Sequence, residues 1–349
     1  MDLVEEQDII DFYRYPPIGD EDWRYTWATA QVRALETWML SRSVFLNMAD
    51  AADFASAIEL LSGTEYAMTS GPQSLGAAEK MLLERRSAVR ELFVDLMLDD
   101  ELVEILRARE DFTNMRLAVR RVVTERPIGT DYSDAGSIGA EQFEEIFEQE
   151  DRERFPDYLQ QAVEEAILGY YQNKDIRRID YGIDKVFSAY KLKAAARLGS
   201  VFLLSLFRTQ IDLTNIRTLL RLKMAERDER NLFISGGFVE IDRFIHGLDV
   251  GYEALATLFY TTPYYGVVEA GVSYLAAEQS FLQLEKGCED HLMGFLKTTR
   301  VITAGPQPVI AYLMMKENEI RTVRMVLTCK KNQMDTKFIL DRLGENGVG

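Results

Sequence analysis

Long apolar runs are missing from this chain of 349 residues; the stretch from Val201 to Phe207, broken only by Ser205, is among the longest. A membrane span needs about 20 apolar residues, so none of this chain is expected to cross a bilayer. Cysteine and histidine are scarce, two of each: Cys288, Cys329, His246 and His291. Two thiols make no disulfide framework, which fits a reducing compartment. Positive charge is in deficit, 40 Lys and Arg against 57 Asp and Glu, a formal net charge of −17. Binding a phosphate backbone takes clustered Lys and Arg, so no nucleic-acid partner is expected. The same excess of acid disfavours docking on anionic lipid headgroups, so any membrane association is expected to run through another protein. No Gly-rich phosphate loop of the GxxxxGK[ST] pattern occurs, which argues against ATP binding by that route and leaves no cofactor to expect. Met1 to Ile10 is acidic and lacks the basic and then apolar segments of a signal peptide; a cytoplasmic protein is the expectation.

What the chain does have is helical periodicity. It is 47% hydrophobic and 28% charged, enough to bury real cores. Apolar residues fall at Leu159, Ala162, Val163, Ala166, Ile167, Tyr170 and Tyr171, with Gln160, Gln161, Glu164 and Glu165 between them. Val89, Leu92, Phe93, Leu96 and Met97 repeat the pattern. This is the 3.6-residue period of an amphipathic helix, and sustained period-2 alternation is hard to find. An all-α fold is expected. The prolines lie between helical patterns, and loops are expected over 61–77 and 126–139. Gly236-Gly237 is read as a helix stop, where glycine supplies the left-handed conformation.

The chain also repeats itself. Thr113-Asn114-Met115-Arg116 recurs as Thr214-Asn215-Ile216-Arg217 and, more loosely, as Asn318-Glu319-Ile320-Arg321, the arginines being 101 and 104 residues apart. Upstream, an acid followed by Lys opens a helical pattern at Glu79-Lys80, Asp184-Lys185 and Glu285-Lys286. Acid-to-arginine spacings of 37, 33 and 36 residues suit one helix, a turn and the start of a returning helix. Three similar helical bundles follow, with domains at 21–130, 131–235 and 236–349 after an N-terminal extension over 1–20. Repeat-signature positions are Asn114, Asn215 and Glu319. A semi-buried arginine beside Met115, Ile216 or Ile320 wants a carboxylate. Because the acid repeats along with the base, ion pairs are expected within each bundle: Glu79 with Arg116, Asp184 with Arg217, Glu285 with Arg321.

The middle copy, Ile211-Asp212-Leu213-Thr214-Asn215-Ile216-Arg217-Thr218-Leu219-Leu220-Arg221-Leu222-Lys223 followed by Ile234-Ser235-Gly236-Gly237, resembles the central signature of the C-type subunit family of V/A-type rotary ATPases, to which the d-type subunit of the eukaryotic V-type enzyme belongs. Lys316 to Arg324 is similar to that family's C-terminal signature, and Tyr25 to Leu40, with Val32-Arg33-Ala34-Leu35, to its opening helix. The resemblance implies three helical bundles in a pseudo-three-fold funnel, its narrow base on the membrane rotor ring and its mouth receiving the central shaft. It implies a non-catalytic coupling piece for proton or sodium transport, partnered by the rotor-ring (proteolipid) subunits and the shaft subunits. It also offers a second reading of Arg116, Arg217 and Arg321, as residues on the inner funnel wall.

Other readings are weaker. Cys288 and His291, with Glu285, could imitate a metal site, but there is no second Cys/His pair, so neither metal nor catalytic residue is expected. A helical-repeat adaptor binding peptide or protein partners is the alternative; solenoid units run near 34 residues, against a period of about 100 here. An all-α enzyme lacks any convincing titratable cluster.

Overall fold

The computed structural model of the chain describes residues 14–68, 74–124 and 132–343, and among these there are helices and no strands. After a single 3-10 turn at Trp23–Tyr25 come α1 (Thr26–Glu36), α2 (Arg42–Asp50), α3 (Phe54–Glu59) and α4 (Leu75–Leu96). Next are α5 (Asp100–Val123), α6 (Ala140–Glu148), α7 (Asp157–Asn173), α8 (Arg177–Arg197) and α9 (Val201–Met224). The chain continues through α10 (Ile241–Asp249), α11 (Tyr252–Leu255), α12 (Tyr265–Glu278), α13 (Leu282–Lys297), α14 (Pro306–Lys331) and α15 (Thr336–Leu343). No helix among the described residues is long and apolar enough to cross a membrane.

Local chemistry sets the ends. Ser74 and Ser200 accept bonds from Ala77 N and Leu203 N, both at 3.2 Å, and Asp53 accepts from Ser56 N at 2.8 Å. These side chains satisfy amides that have no intrahelical partner. Pro306 and Pro308 sit in the first turn of α14, where a missing N–H costs nothing.

The helices gather into two compact units: residues up to Leu98 together with those from His246 onward, and Asp99–Ile245. In the second, α5 packs on α7 and α8, α7 pairs along α8, and α8 packs on α9. Phe112, Met115, Phe143, Leu159 and Ile183 lie in its core. Gly182 lets α7 and α8 meet closely, since a Cβ there would stand 3.0 Å from the Glu165 carbonyl and the Ala166 nitrogen. In the first, α14 is the spine, touching α1, α2, α3 and α4. Its core gathers Phe45, Met48, Ile58, Leu82, Val323 and Leu327.

Candidate functional site: three side-chain clamps

Helix α5 turns Asp111 and Asn114, one helical turn apart, into the interior, 0% and 2% exposed. The Asn114 amide grips one residue by both backbone groups, donating to Ser133 O at 2.8 Å and accepting from Ser133 N at 2.9 Å. Asp111 accepts from Ile138 N at 3.3 Å, from the Tyr158 hydroxyl at 3.2 Å and from the Ser137 hydroxyl. Helix α9 does the same 101 residues later. Asn215 donates to Ile234 O and accepts from Ile234 N, both at 2.8 Å. Asp212 accepts from Phe238 N at 3.0 Å and Val239 N at 3.1 Å. The separation from Asn to its clamped residue is 19 in both copies, and from Asp to Ile138 or Val239 it is 27.

These loops must come very close to the carboxylate. A Cβ on Gly136 would collide with Asp111 Oδ1, and one on Gly237 with Asp212 Oδ1. The expectation that Gly236-Gly237 stops a helix is corrected here. Helix α9 ends at Met224 and is capped by Ala225, well before either glycine. Gly236 does adopt a left-handed φ of 98°, but inside the clamped loop, and Gly237 makes room for Asp212.

The third clamp has different chemistry. At the positions of Asp212 and Asn215, shifted by 104, α14 carries Lys316 and Glu319, 1% and 0% exposed. Glu319 accepts from Leu40 N, from the Tyr66 hydroxyl and from Lys316 Nζ, each at 2.6 Å, and Lys316 also reaches Glu65 Oε2 at 2.6 Å. Burial first, and the Glu319 carboxylate next, push the Tyr66 hydroxyl far above its ordinary pKa, so it stays a donor. Leu40 stands two residues before α2, as Ile138 does before α6 and Val239 before α10, and these three helices are nine residues each. The third clamp is thus closed by the first segment of the chain. A buried backbone N–H left unbonded is costly, and each clamp removes that cost at the entry to a helix.

Arg116 finds carboxylates, but not the Glu79 that spacing suggested. Arg116 bonds Asp184 and approaches Asp180 Oδ1 at 3.3 Å, while Arg120 bonds Asp180, forming a ladder between α5 and α8. Asp184, expected to meet Arg217, is therefore taken by Arg116. Glu79 is taken by Arg324 at 2.8 Å, and Arg321 meets Glu289 at 3.3 Å and Asn318 at 2.6 Å. The reason is packing: α5 lies on α8 and α14 lies on α4, so these two arginine helices meet the acid helix of another copy, while Arg321 also reaches Glu289 on α13, the acid helix of its own copy. Chain spacing sets reach along an element, not which neighbour it meets. Arg217 and Glu285 are both half-buried.

Cys288 and His291 lie buried on α13. The imidazole is packed between the rings of Tyr15 at 5.2 Å and Tyr264 at 5.0 Å, and its nitrogens have no hydrogen-bond partner among the described residues. Burial, and secondarily the Arg14 charge, lower its pKa to about 3. No group of three metal-ligating side chains occurs among the described residues.

Asp111, Asp212, Lys316, Tyr66 and Gly136 were not singled out from the sequence. The repeat itself could have found four of them: Asp111, Asp212 and Gly136 share the 101-residue offset with Gly237, and Lys316 follows Asp212 by the 104 of the last copy.

Polar groups buried in pairs on a helix, holding loop backbone and one another, define a helical protein whose interior polarity fixes geometry. The chain belongs to the ATP synthase (C/AC39) subunit family, whose profile matches residues 28–342. It is similar to the C-type subunit of the V-type sodium ATPase of Enterococcus hirae, 22% identical over 89% of this chain and 95% of that protein. It is likewise similar to the C-type subunit of the V-type ATP synthase of Thermus thermophilus, 26% identical over 88% of this chain and 94% of that one. The C-type subunit of the A-type ATP synthase of Thermococcus onnurineus matches at 22% over 93% of this chain and 92% of its own length.

Proposed function

We propose that this subunit of a rotary ATPase is the non-catalytic central-stalk piece that couples the membrane rotor ring to the central shaft during proton or sodium transport. The observation that carries the reading is the family match from residue 28 to 342, which takes in all three clamps. A coupling piece must be stiff and must not slip. Close-packed helices transmit strain, and clamps that tie each helix entry to a long helix remove the soft joints between elements. Three bundles over 21–130, 131–235 and 236–349, forming a funnel, belong to this proposal. So does a cytoplasmic position, peripheral to the membrane and held through the ring. The acidic body, net −17, suits basic groups on the ring loops and the shaft foot, charge complementarity setting register.

The test is reconstitution with and without this chain. ATP hydrolysis by the head should persist without it, while ion movement driven by ATP should collapse and return when the chain is added back. Ion pumping that survives its removal unchanged refutes the coupling role.

A further inference from the structure

Ahead of α1 the chain runs as a strap. Residues 16–22 belong to no helix, and Pro16 and Pro17 have no N–H to donate. The strap is laced down near α1 and bolted at its far end. At the lace, Gln307 Nε2 donates to Asp20 O at 2.8 Å and to Ile18 O at 3.3 Å. Glu21 Oε1 accepts from Thr303 N at 2.9 Å, and Asp22 N donates to Ala304 O at 2.9 Å. At the bolt, the Tyr15 ring lies 5.2 Å from His291 and 6.4 Å from Phe295, both on α13. The Tyr15 hydroxyl fills the space over Gly294, where a Cβ would collide with it.

The slot that receives the bolt is poised rather than content. His291 is 2% exposed, and neither of its ring nitrogens has a hydrogen-bond partner among the described residues. Buried polar atoms without partners weigh against the state that buries them. Lifting Tyr15 opens one face of the imidazole to water. The helix behind the strap keeps its own hold: Arg33 donates to Thr299 O at 2.6 Å, and the Thr29 hydroxyl accepts from Gly305 N at 3.1 Å. The strap can therefore lift while α1 stays seated.

We propose that residues 14–22 form an acid-released strap, bolted by Tyr15 in the His291–Gly294–Phe295 slot of α13 and lifted when His291 takes up a proton. The device belongs to this chain alone and stands without the coupling role.

The groups around the imidazole give the sign. The strap presents Tyr15 and Arg14, the segment ahead of α12 presents Tyr264, and α13 itself carries Cys288 one turn away. No carboxylate among the described residues pairs with His291, and no charge on α14 or α15 moves its titration. Burial first, and the like charge of Arg14 second, hold it neutral down to about pH 3 in the closed state. With the strap lifted it returns toward its ordinary 6.5, so the lifted state binds a proton that the closed state refuses. Closure is fully favoured above about pH 6.5 and loses ground as pH falls toward 3. From pH 7.5 to pH 5 the ratio of lifted to closed strap rises by up to about thirtyfold.

Hydrogen exchange of the full chain, read by mass spectrometry and corrected for the intrinsic effect of pH, tests this. The reporting amides are Asp22 and Thr303, which the lace protects; Ile234 and Val239, held by the α9 clamp, are the reference. In the original chain, protection at Asp22 and Thr303 should fall by about ten- to thirtyfold between pH 7.5 and pH 5, relative to the reference amides. His291→Phe keeps an aromatic ring in the slot and cannot titrate, so it should hold that protection at pH 5. Gly294→Ala pushes Tyr15 out and should lower protection at both pH values, with circular dichroism confirming the fold; if that variant does not fold, His291→Phe carries the test. Protection that does not change with pH in the original chain overturns the proposal. So does a loss shared equally by the reference amides, which would be global unfolding. An equal loss in His291→Phe also overturns it, and would put the trigger on Asp20, Glu21 or Asp22 of the lace.

Discussion

Replacing Asp212 with alanine removes the acceptor for two backbone amides. The carboxylate is 0% exposed and holds Phe238 N at 3.0 Å and Val239 N at 3.1 Å. Val239 is buried, so its N–H is left without water or partner; Phe238 is 45% exposed and its amide can be rehydrated. A hydrogen bond to a charged group contributes about 1.5–3 kcal/mol, so one full loss and one partial loss come to about 3 kcal/mol. Asp212→Asn keeps the shape and one acceptor and should cost about half as much. Gly237→Ala forces a Cβ into Asp212 Oδ1 and should cost about 1–3 kcal/mol by overpacking. The double variant Asp212→Ala/Gly237→Ala is the sharper test. With the carboxylate gone the clash is gone, so the combined loss should fall short of the sum by about 1 kcal/mol or more. Urea unfolding followed by far-ultraviolet circular dichroism, with slopes compared to check cooperativity, reads all four. A loss below about 1 kcal/mol for Asp212→Ala, or strict additivity in the double variant, would refute the clamp as an energetic element.

Three further outcomes are expected. Lys316→Met or Glu319→Gln alone should destabilise by about 3–5 kcal/mol by stranding a buried charge, and the double change by less than either; a double variant as poor as the sum of the singles would contradict this in the same urea assay. The Arg116, Arg120, Asp180, Asp184 ladder is between 27% and 43% exposed, so double-mutant cycles on Arg116–Asp184 or Arg120–Asp180 should give coupling of only about 0.2–1 kcal/mol. Asp180→Ala should be the worst of the four single changes, because Asp180 meets both arginines. His291 is held neutral, its pKa lowered from 6.5 to about 3, so the unfolded chain binds the proton that the folded one refuses. Stability contributed there is full above about pH 6.5 and is lost as pH falls toward 3, by about 2 kcal/mol at pH 5. His291→Phe should flatten that part of the stability–pH curve, and an unchanged slope would place the acid sensitivity elsewhere.

The helices were legible because each carries its own instructions. The apolar rhythm at Leu159, Ala162, Val163 and Ala166 needs only that one side of α7 be buried, and those four residues are buried. The repeat at Asn114, Asn215 and Glu319 was legible as a pattern, because side chains that do equivalent jobs at equivalent helix positions leave equivalent spacings. Its purpose was not. An Asn on a helix reads the same whether it points to water, to an arginine or to the backbone of a loop 19 residues on. Gly237 went astray for the same reason: a glycine required by a neighbouring carboxylate looks like a glycine that ends a helix.

Ion pairing shows where the division falls. Glu79, Asp184 and Arg116 were recognisable from the sequence as charged residues needing partners, since an amphipathic helix with a charge near its apolar side must satisfy it. Which partner each received was decided when α5 settled on α8 and α14 on α4. The closure of the third clamp on Leu40, 279 residues from Glu319, is equally a tertiary event. What the sequence determined by itself was the helical period, the three-fold recurrence and the family signatures, because these are written in local spacing. What only the tertiary structure decided was the pairing between copies, because burial selects contacts by proximity in space and chain distance places no limit on it.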